Sequence, residues 1–380
     1  MQAAEANALA LACRRAQRYA EALQYAELAV RLSPAHPGYL ANLGNALREA
    51  RQPEAALAAY AQALKLLPAG QPGHAEIQFN RALALLMLGR HAEGFAAFLW
   101  KRQTANEPPA PVTAPRWQGE NLSGHRLLLQ ATEGYGDTLQ MLRFIPGLAR
   151  QGVQVSLCCA PALLPLLQPM HAQLGLHSVF SPHSLPAPTG NVWSEVYSLP
   201  HFCHATDQLP WLEPYLPRLA IPPAYALPAG GPRFGLVWAC HPQAASATRR
   251  SCELQQLQPL LQAFPGQFYS LQTGDAAVEA LALPAAIRPR PLPFALSDFA
   301  ATAAVLQQLD RLITVDTASA HLAGALGCPA ELLLPFAADW RWGLSDSAPQ
   351  WYGSLRHWWQ HTPGDWQEPV NALIKPLMMA

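Results

Sequence analysis

Along the first hundred residues, apolar and small positions recur at helical spacing and then repeat at a longer period. With Pro37 as position 1 of a 34-residue unit, Leu40, Leu43, Gly44, Leu47, Ala56, Tyr60, Ala63 and Pro68 fall at positions 4, 7, 8, 11, 20, 24, 27 and 32. One period earlier the same register reads Ala6, Leu9, Ala10, Cys13, Ala22, Ala26, Ala29 and Pro34. A third unit begins near Ala75 after a four-residue insertion, with Ala82, Leu85, Gly94 and Phe98 in register and no terminal proline. Small residues at positions 8, 20 and 27 let paired helices approach closely, and larger ones at 4, 7, 11 and 24 fill the groove between them. The pattern predicts stacked helical hairpins over 1–103, which offer either a concave surface for a protein or peptide partner or an oligomerisation or stabilising cap.

After 103 the rhythm changes. Residues 104–122 carry Pro108, Pro109, Pro111 and Pro115 and read as a linker, with Trp117 anchoring the next domain. Short apolar runs then alternate with helical patterns: a strand at 126–131, a turn with Gly134 and Gly136, a helix from about 138 to 150, a strand at 153–159 and a short helix at 161–168. Residues 181–232 are rich in proline and read as loops, and their His201 and His204 lack a third metal ligand. A second series follows, with a strand at 233–239, a polar loop through Arg249, Arg250 and Ser251, a helix near 254–264, a strand at 268–272, a helix at 301–309 and a strand entering the turn at 316. This βαβ alternation predicts two similar α/β halves with parallel sheets, 123–231 and 232–380.

Composition narrows the function. Lys plus Arg equal Asp plus Glu at 25 each, so no overall field draws the chain to nucleic acid or an anionic membrane. The seven cysteines show no CxxC and no zinc-like spacing, which predicts reduced, mostly buried thiols and no metal. No apolar run reaches about 18 residues and no basic segment precedes an apolar one at the start, so the expected compartment is the cytoplasm. With only 13% charged residues, association with a partner or a second copy would aid solubility.

The candidate chemistry lies where strands end at helix starts. Residues 312–326 run from an apolar strand through Asp316 and Thr317 into an Ala-rich helix containing Ala318, Ser319 and His321, a place where unpaired N–H groups and the helix dipole favour a diphosphate. A simple cap by Asp316 or Thr317 with His321 packed in the core is the competing interpretation. The turn with Gly134, Tyr135, Gly136 and Asp137 has Gly-x-Gly-Asp spacing and lacks the third glycine of a dinucleotide fingerprint, which disfavours a nicotinamide cofactor. Asp137 either caps its helix or faces a substrate.

Five ordered stretches carry a family resemblance: Glu133-Gly-Tyr-Gly-Asp-Thr-Leu-Gln140, Gly235-Leu-Val-Trp-Ala239, Asp298-Phe-Ala-Ala-Thr302, Val315-Asp-Thr-Ala-Ser-Ala-His-Leu-Ala-Gly-Ala-Leu326 and Asp339-Trp-Arg-Trp342. Together they span about 116–370. The chain resembles bacterial tetratricopeptide proteins fused to a glycosyltransferase domain like that of the ADP-heptose:lipopolysaccharide heptosyltransferases, and more distantly O-GlcNAc transferase. The resemblance implies a GT-B fold and an inverting, metal-independent transfer of a hexosyl or heptosyl group from a nucleotide-diphosphate sugar to a protein, peptide or glycan, with no other cofactor. It implies Asp137 as base and Arg250, with Arg249 as the competing choice, as the cation countering leaving-group charge. On the donor side it implies Trp238, Gln272, Asp316, Thr317, Ala318, Ser319 and His321, and on the acceptor side Gly134, Tyr135, Gly136 and Gln140. Relatives commonly read Gly-Asn-Pro after the Val-Trp-Ala strand and then a charged loop, whereas this chain has Cys240-His241-Pro242 and a loop poor in polar donors. The alternative is therefore a non-catalytic tetratricopeptide scaffold with a vestigial transferase domain.

Overall fold

The computed structural model describes residues 1–104, 113–131, 134–184, 191–204, 211–228, 230–244, 246–344, 347 and 351–379. Pro108, Pro109 and Pro111 of the expected linker, and Glu133 of the glycine turn, lie outside the described residues. Two compact units are present: 1–109 with 335–348 and 361–364, and 110–334 with 349–360 and 365–380.

In the first unit, α1 (Ala3–Arg15), α2 (Tyr19–Leu32), α3 (Pro37–Glu49), α4 (Pro53–Leu66), α5 (His74–Met87) and α6 (His91–Phe98) form the predicted helical hairpins. The small positions have a direct steric cause. A Cβ on Gly44 would lie 2.4 Å from the Tyr60 ring, and one on Gly94 would lie 2.6 Å from Leu86. Each hairpin turn contains a left-handed residue, Gln17 (φ 59°), Arg51 (φ 60°) and Gly89 (φ 72°), the first two one 34-residue period apart and the third displaced by the four-residue insertion. Arg14 of α1 grips the largely buried Glu49 of α3 with two hydrogen bonds of 2.7 and 2.8 Å. Burial by itself would lower the Arg14 pKa, but the hydrogen bond and charge of Glu49 outweigh it and the value is raised.

The segment 335–348 packs within this same unit. Phe336 stacks on Tyr19 with ring centroids 5.7 Å apart, and Arg51 sits 4.2 Å above the Phe336 ring while donating from Nε to its carbonyl at 2.7 Å. Trp340 meets Phe95 and Phe98 edge-on. The aromatic residues near the C-terminus pack on different partners. Trp340 serves α6, Trp351 packs on Trp211, Tyr352 on His321, and Trp358 joins the core that contains the C-terminal helix.

The second unit holds two α/β halves. The first runs β1 (Arg126–Gln130), α7 (Tyr135–Met141), α8 (Ile145–Arg150), β2 (Gln154–Cys158), α9 (Leu164–Met170), β3 (Leu176–Phe180), β4 (Val192–Glu195) and α10 (Leu199–Phe202). Its strands are parallel in the order β3-β2-β1-β4. The helix expected from about 138 begins at Tyr135, which puts Asp137 in its first turn, and it breaks into α7 and α8 through a 3-10 turn at Leu142–Phe144. Pro146, which has no N–H to donate, stands at the start of α8. The strand β4 falls inside the stretch expected to be loops. It is fully buried, and the polar Glu195 is accommodated there by Arg116 at 2.9 Å.

The second half runs β5 (Phe234–Val237), α11 (Ala247–Arg250), α12 (Gln258–Ala263), β6 (Phe268–Ser270), β7 (Arg290–Pro291), α13 (Phe299–Leu306), β8 (Arg311–Val315), α14 (Ala318–Leu326), β9 (Ala330–Leu334), β10 (Leu355–Trp359) and α15 (Gln367–Met378). Its strands are parallel in the order β10-β9-β8-β5-β6-β7. Numbered from β5, that is the doubly wound order 3-2-1-4-5-6, which reverses between β5 and β8 and opens a crevice at their carboxyl ends. The fully buried Glu331 of β9 ties the neighbouring strands together, accepting from Arg311 of β8 and from Arg356 and Trp358 of β10.

Burial pushes the His357 imidazole of β10 down to about 4. An imidazole in the unfolded chain binds its proton near 6.5, so between about pH 4 and 6.5 the unfolded state holds more protons and stability rises with pH. The contribution is complete above that window and is lost as pH falls through it. In urea unfolding at about pH 5 and about pH 7.5, His357→Gln should shrink the difference in stability between the two conditions by about 2 kcal/mol. An unchanged difference would contradict the assignment.

Candidate functional site

At the carboxyl end of β5 the chain turns through Trp238, Ala239 and Cys240. Gln272, just past β6, clamps this turn: its Oε1 accepts the N–H groups of Trp238 (3.0 Å) and Ala239 (2.9 Å), and its Nε2 donates to the Ala239 carbonyl (3.1 Å). The Trp238 ring itself is fully buried in the core of this half. The structure therefore places Trp238 behind the crevice, where it supports the wall through its backbone. Gln272 shapes the same wall.

The loop 240–252 is tied across to β8. The Cys240 N–H donates to Ser251 Oγ (2.9 Å) and its thiol to the Asp316 carbonyl (3.3 Å). Burial above all pushes that thiol up to about 11, with Asp316 raising it further and Arg250 opposing, so it stays protonated and acts as a donor. Arg250, at the end of α11, donates from Nη1 to the Asp316 carbonyl at 3.2 Å and lies 3.6 Å from its carboxylate Oδ2. Arg249 turns back to Ser246 Oγ at 3.0 Å. Arg250 is thus directed to the crevice. Its side chain is 23% exposed while that of Asp316 is 4% exposed, so the cation keeps access to an incoming anion.

Thr317 precedes α14 in extended conformation, its hydroxyl 3.1 Å from that of Thr314. Ala318 and Ser319 open the helix and are partly exposed. Their N–H groups belong to the first turn, for which a helix supplies no acceptor, and they stand at its positive end. His321 lies in the same turn and is 5% exposed.

The first half contributes α7. Asp137 accepts the Gly134 N–H at 3.0 Å, so one carboxylate oxygen caps its own helix. Tyr135 is 43% exposed and rests against the Phe299 ring at 5.0 Å. A Cβ on Gly136 would come 2.5 Å from Cδ2 of His321, so α7 and α14 touch where the chain has no side chain. That contact brings the residue next to Asp137 against the His321 ring. Gln140, later in the same helix, is fully buried.

Two further residues meet His321 and its surroundings. Tyr352 places its hydroxyl 2.9 Å from Nδ1 of His321, and Arg143 sits over the Tyr352 ring at 4.8 Å. The available signal was Gly324, three residues after His321 on the same helical face; a Cβ there would meet Tyr352 at 2.3 Å.

The close packing yields a stability prediction. Gly136→Ala should destabilise the protein by about 1–3 kcal/mol in denaturant unfolding, since a backbone-borne methyl must displace a buried ring. Gly147→Ala in α8, where a Cβ meets nothing within 4 Å, serves as the control. Equal stability of the two variants would contradict the α7–α14 contact.

Among the described residues, no group of three or more His, Cys, Asp and Glu is placed to hold a metal, and His201 and His204 are joined by no third ligand. Among them, too, no helix is long and apolar enough to cross a membrane. All seven cysteines are free thiols and all but Cys203 are buried.

Comparison with known proteins identifies residues 42–108 as matching the tetratricopeptide repeat family model. Protein FlbA of Caulobacter vibrioides is 26% identical over 356 residues, which cover 85% of this chain and 58% of that protein. The chain thus spans under two thirds of the length of this curated relative. Among solved structures, a mutant of the Thermobaculum terrenum O-GlcNAc transferase is similar over 99% of this chain and 84% of its own, at 17% identity and a TM-score of 0.36. The E. coli ADP-heptose LPS heptosyltransferase II is similar over 67% of this chain and 99% of its own, at 14% identity and a TM-score of 0.44.

Proposed function

We propose that this protein is a glycosyltransferase that moves a sugar from a nucleotide-diphosphate donor to an acceptor hydroxyl, with inversion and without a metal. The observation that carries this proposal is the pairing at the β5–β8 crevice of a partly exposed Arg250 with the open N-terminal turn of α14, opposite the helix that bears Asp137. A diphosphate has the charge and the acceptor oxygens that such a pair attracts. The acceptor oxygen would attack the anomeric carbon while the bond from that carbon to the diphosphate oxygen breaks. Its proton would pass to Asp137, and the electron pair would leave on the nucleoside diphosphate, whose new charge Arg250 and the helix terminus would stabilise. Buried, unpaired thiols fit a reducing compartment, in line with work in the cytoplasm. The repeats would recruit a protein partner, whether the acceptor or a scaffold component.

A second interpretation is favoured by one observation: Asp137 already spends a carboxylate oxygen on the Gly134 N–H, as a purely structural cap would. On that view the transferase domain is vestigial and the protein is a scaffold. A thermal-shift screen of the purified chain against UDP-, GDP-, ADP- and dTDP-sugars separates the two. A donor at about 100 times its dissociation constant stabilises by about 2.7 kcal/mol, so the transferase should show a selective shift that Arg250→Ala abolishes. A well-folded sample that responds to none of them would favour the scaffold.

A further inference from the structure

We propose that the repeat unit receives, at Arg48, a carboxylate side chain from an acidic segment of a partner protein. The inference rests on the recruiting role proposed above for the repeats, and it names the chemistry of what they recruit.

The repeats themselves contain the model for this contact. Arg14, next to last in α1, grips Glu49, the last residue of α3, with Nε on one carboxylate oxygen at 2.7 Å and Nη2 on the other at 2.8 Å. Arg48 stands one 34-residue period after Arg14 and is likewise next to last in its helix, α3. The counterpart of Glu49 one repeat further on, allowing for the four-residue insertion, is the last residue of α5, and that residue is Met87. The series of ion pairs therefore stops. Where the next carboxylate would stand, the chain carries a thioether.

The charge around Arg48 is correspondingly unbalanced. Among the described residues Arg48 forms no ion pair; it is half-buried, and its Nε is buried with no hydrogen-bond partner. Burial raises the pKa of the nearby Tyr60 hydroxyl, while Arg48 and, after it, Arg14 oppose the rise and Glu49 adds to it. Two guanidiniums and one carboxylate thus share the surroundings of one ring, and both oxygens of that carboxylate already accept from Arg14. Tyr60 supplies no negative charge, since its hydroxyl donates to Asn45 Oδ1 at 2.8 Å. A half-buried guanidinium is costly without a partner and is best satisfied by a planar carboxylate that takes two of its hydrogens. The chain as a whole is neutral, with 25 residues of each sign, so attraction of an acidic segment here is local and not a property of the overall field.

The probe is a capped, fluorescent hexaglutamate peptide, with the matching hexaglutamine peptide as control, titrated into the full chain and read by anisotropy. The expected result is tighter binding of the glutamate peptide, weakened about tenfold by Arg48→Gln, the scale of one lost charge-assisted hydrogen bond. Equal binding of the two peptides, binding of neither, or glutamate binding indifferent to Arg48→Gln would overturn the proposal. Self-association of the full chain that Arg48→Gln abolishes would assign the carboxylate to a second copy and overturn it as well. No donor sugar is present in these titrations, so their failure leaves the proposed glycosyl transfer untouched.

A second arm supplies the carboxylate from within the chain. Met87→Glu should pair with Arg48 as Glu49 pairs with Arg14, and it should therefore exclude the glutamate peptide while Arg48 itself is unchanged. In urea unfolding, Met87→Glu should lower the midpoint less in the wild-type background than in the Arg48→Gln background, because only the former offers the new carboxylate a partner. An equal cost in both backgrounds would put the last residue of α5 out of reach of Arg48 and overturn the proposal without recourse to any peptide.

Discussion

Asp137→Asn is expected to lower turnover by about 10²–10⁴ while leaving donor affinity within about twofold. The substitution is unusually clean because the cap seen in the structure and the proposed role as base are separable tasks of Asp137. One oxygen accepts the Gly134 N–H at the start of α7, and an asparagine oxygen caps a helix about as well as a carboxylate does. The amide keeps the cap and loses the base. Folding should therefore be preserved, with the loss confined to proton removal from the acceptor. Steady-state kinetics with a measured donor dissociation constant check this, and undiminished turnover would assign Asp137 to the cap alone.

Arg250→Ala is expected to cost about 10²–10³ in turnover together with weaker donor binding. Arg250 bridges the loop 240–252 to the end of β8 through the Asp316 carbonyl, and it is directed to the crevice. Its loss removes charge that the departing diphosphate needs more than the bound donor does, so kcat should fall further than affinity. Arg250→Lys should recover part of the activity, because the ammonium restores the charge but not the planar fork that holds Asp316 and an oxyanion together. Equal activity of the Ala and Lys variants would contradict an electrostatic role.

Much of this architecture was legible in the sequence, for physical reasons that differ by region. The hairpins announce themselves because each repeat must solve the same packing problem, so Gly44 against Tyr60 and Gly94 against Leu86 stand at fixed positions of the period. The parallel strands show as apolar runs because both faces are buried, as in Arg126–Gln130 and Arg311–Val315. The strand Val192–Glu195 was hidden because half of its residues are polar, and its buried Glu195 is satisfied by Arg116, far earlier in the chain. The turns at Asp137 and Asp316 were readable from local chemistry. What joins them was not: the approach of Gly136 to His321, the hydroxyl of Tyr352 and the cage around Arg143 all depend on residues brought together from distant parts of the chain. Trp238 shows the complementary error, since a motif position beside the crevice puts its backbone on the wall and its ring in the core.

Arg250 and the first turn of α14 are proposed to hold a diphosphate without a metal. Isothermal titration of ADP, UDP, GDP and dTDP into the full chain, in the presence of a chelator, tests it most directly. The account predicts that one of them binds under these conditions and that Arg250→Ala weakens it at least about tenfold. Binding that appears only when a divalent cation is supplied, or that is indifferent to Arg250, would contradict it.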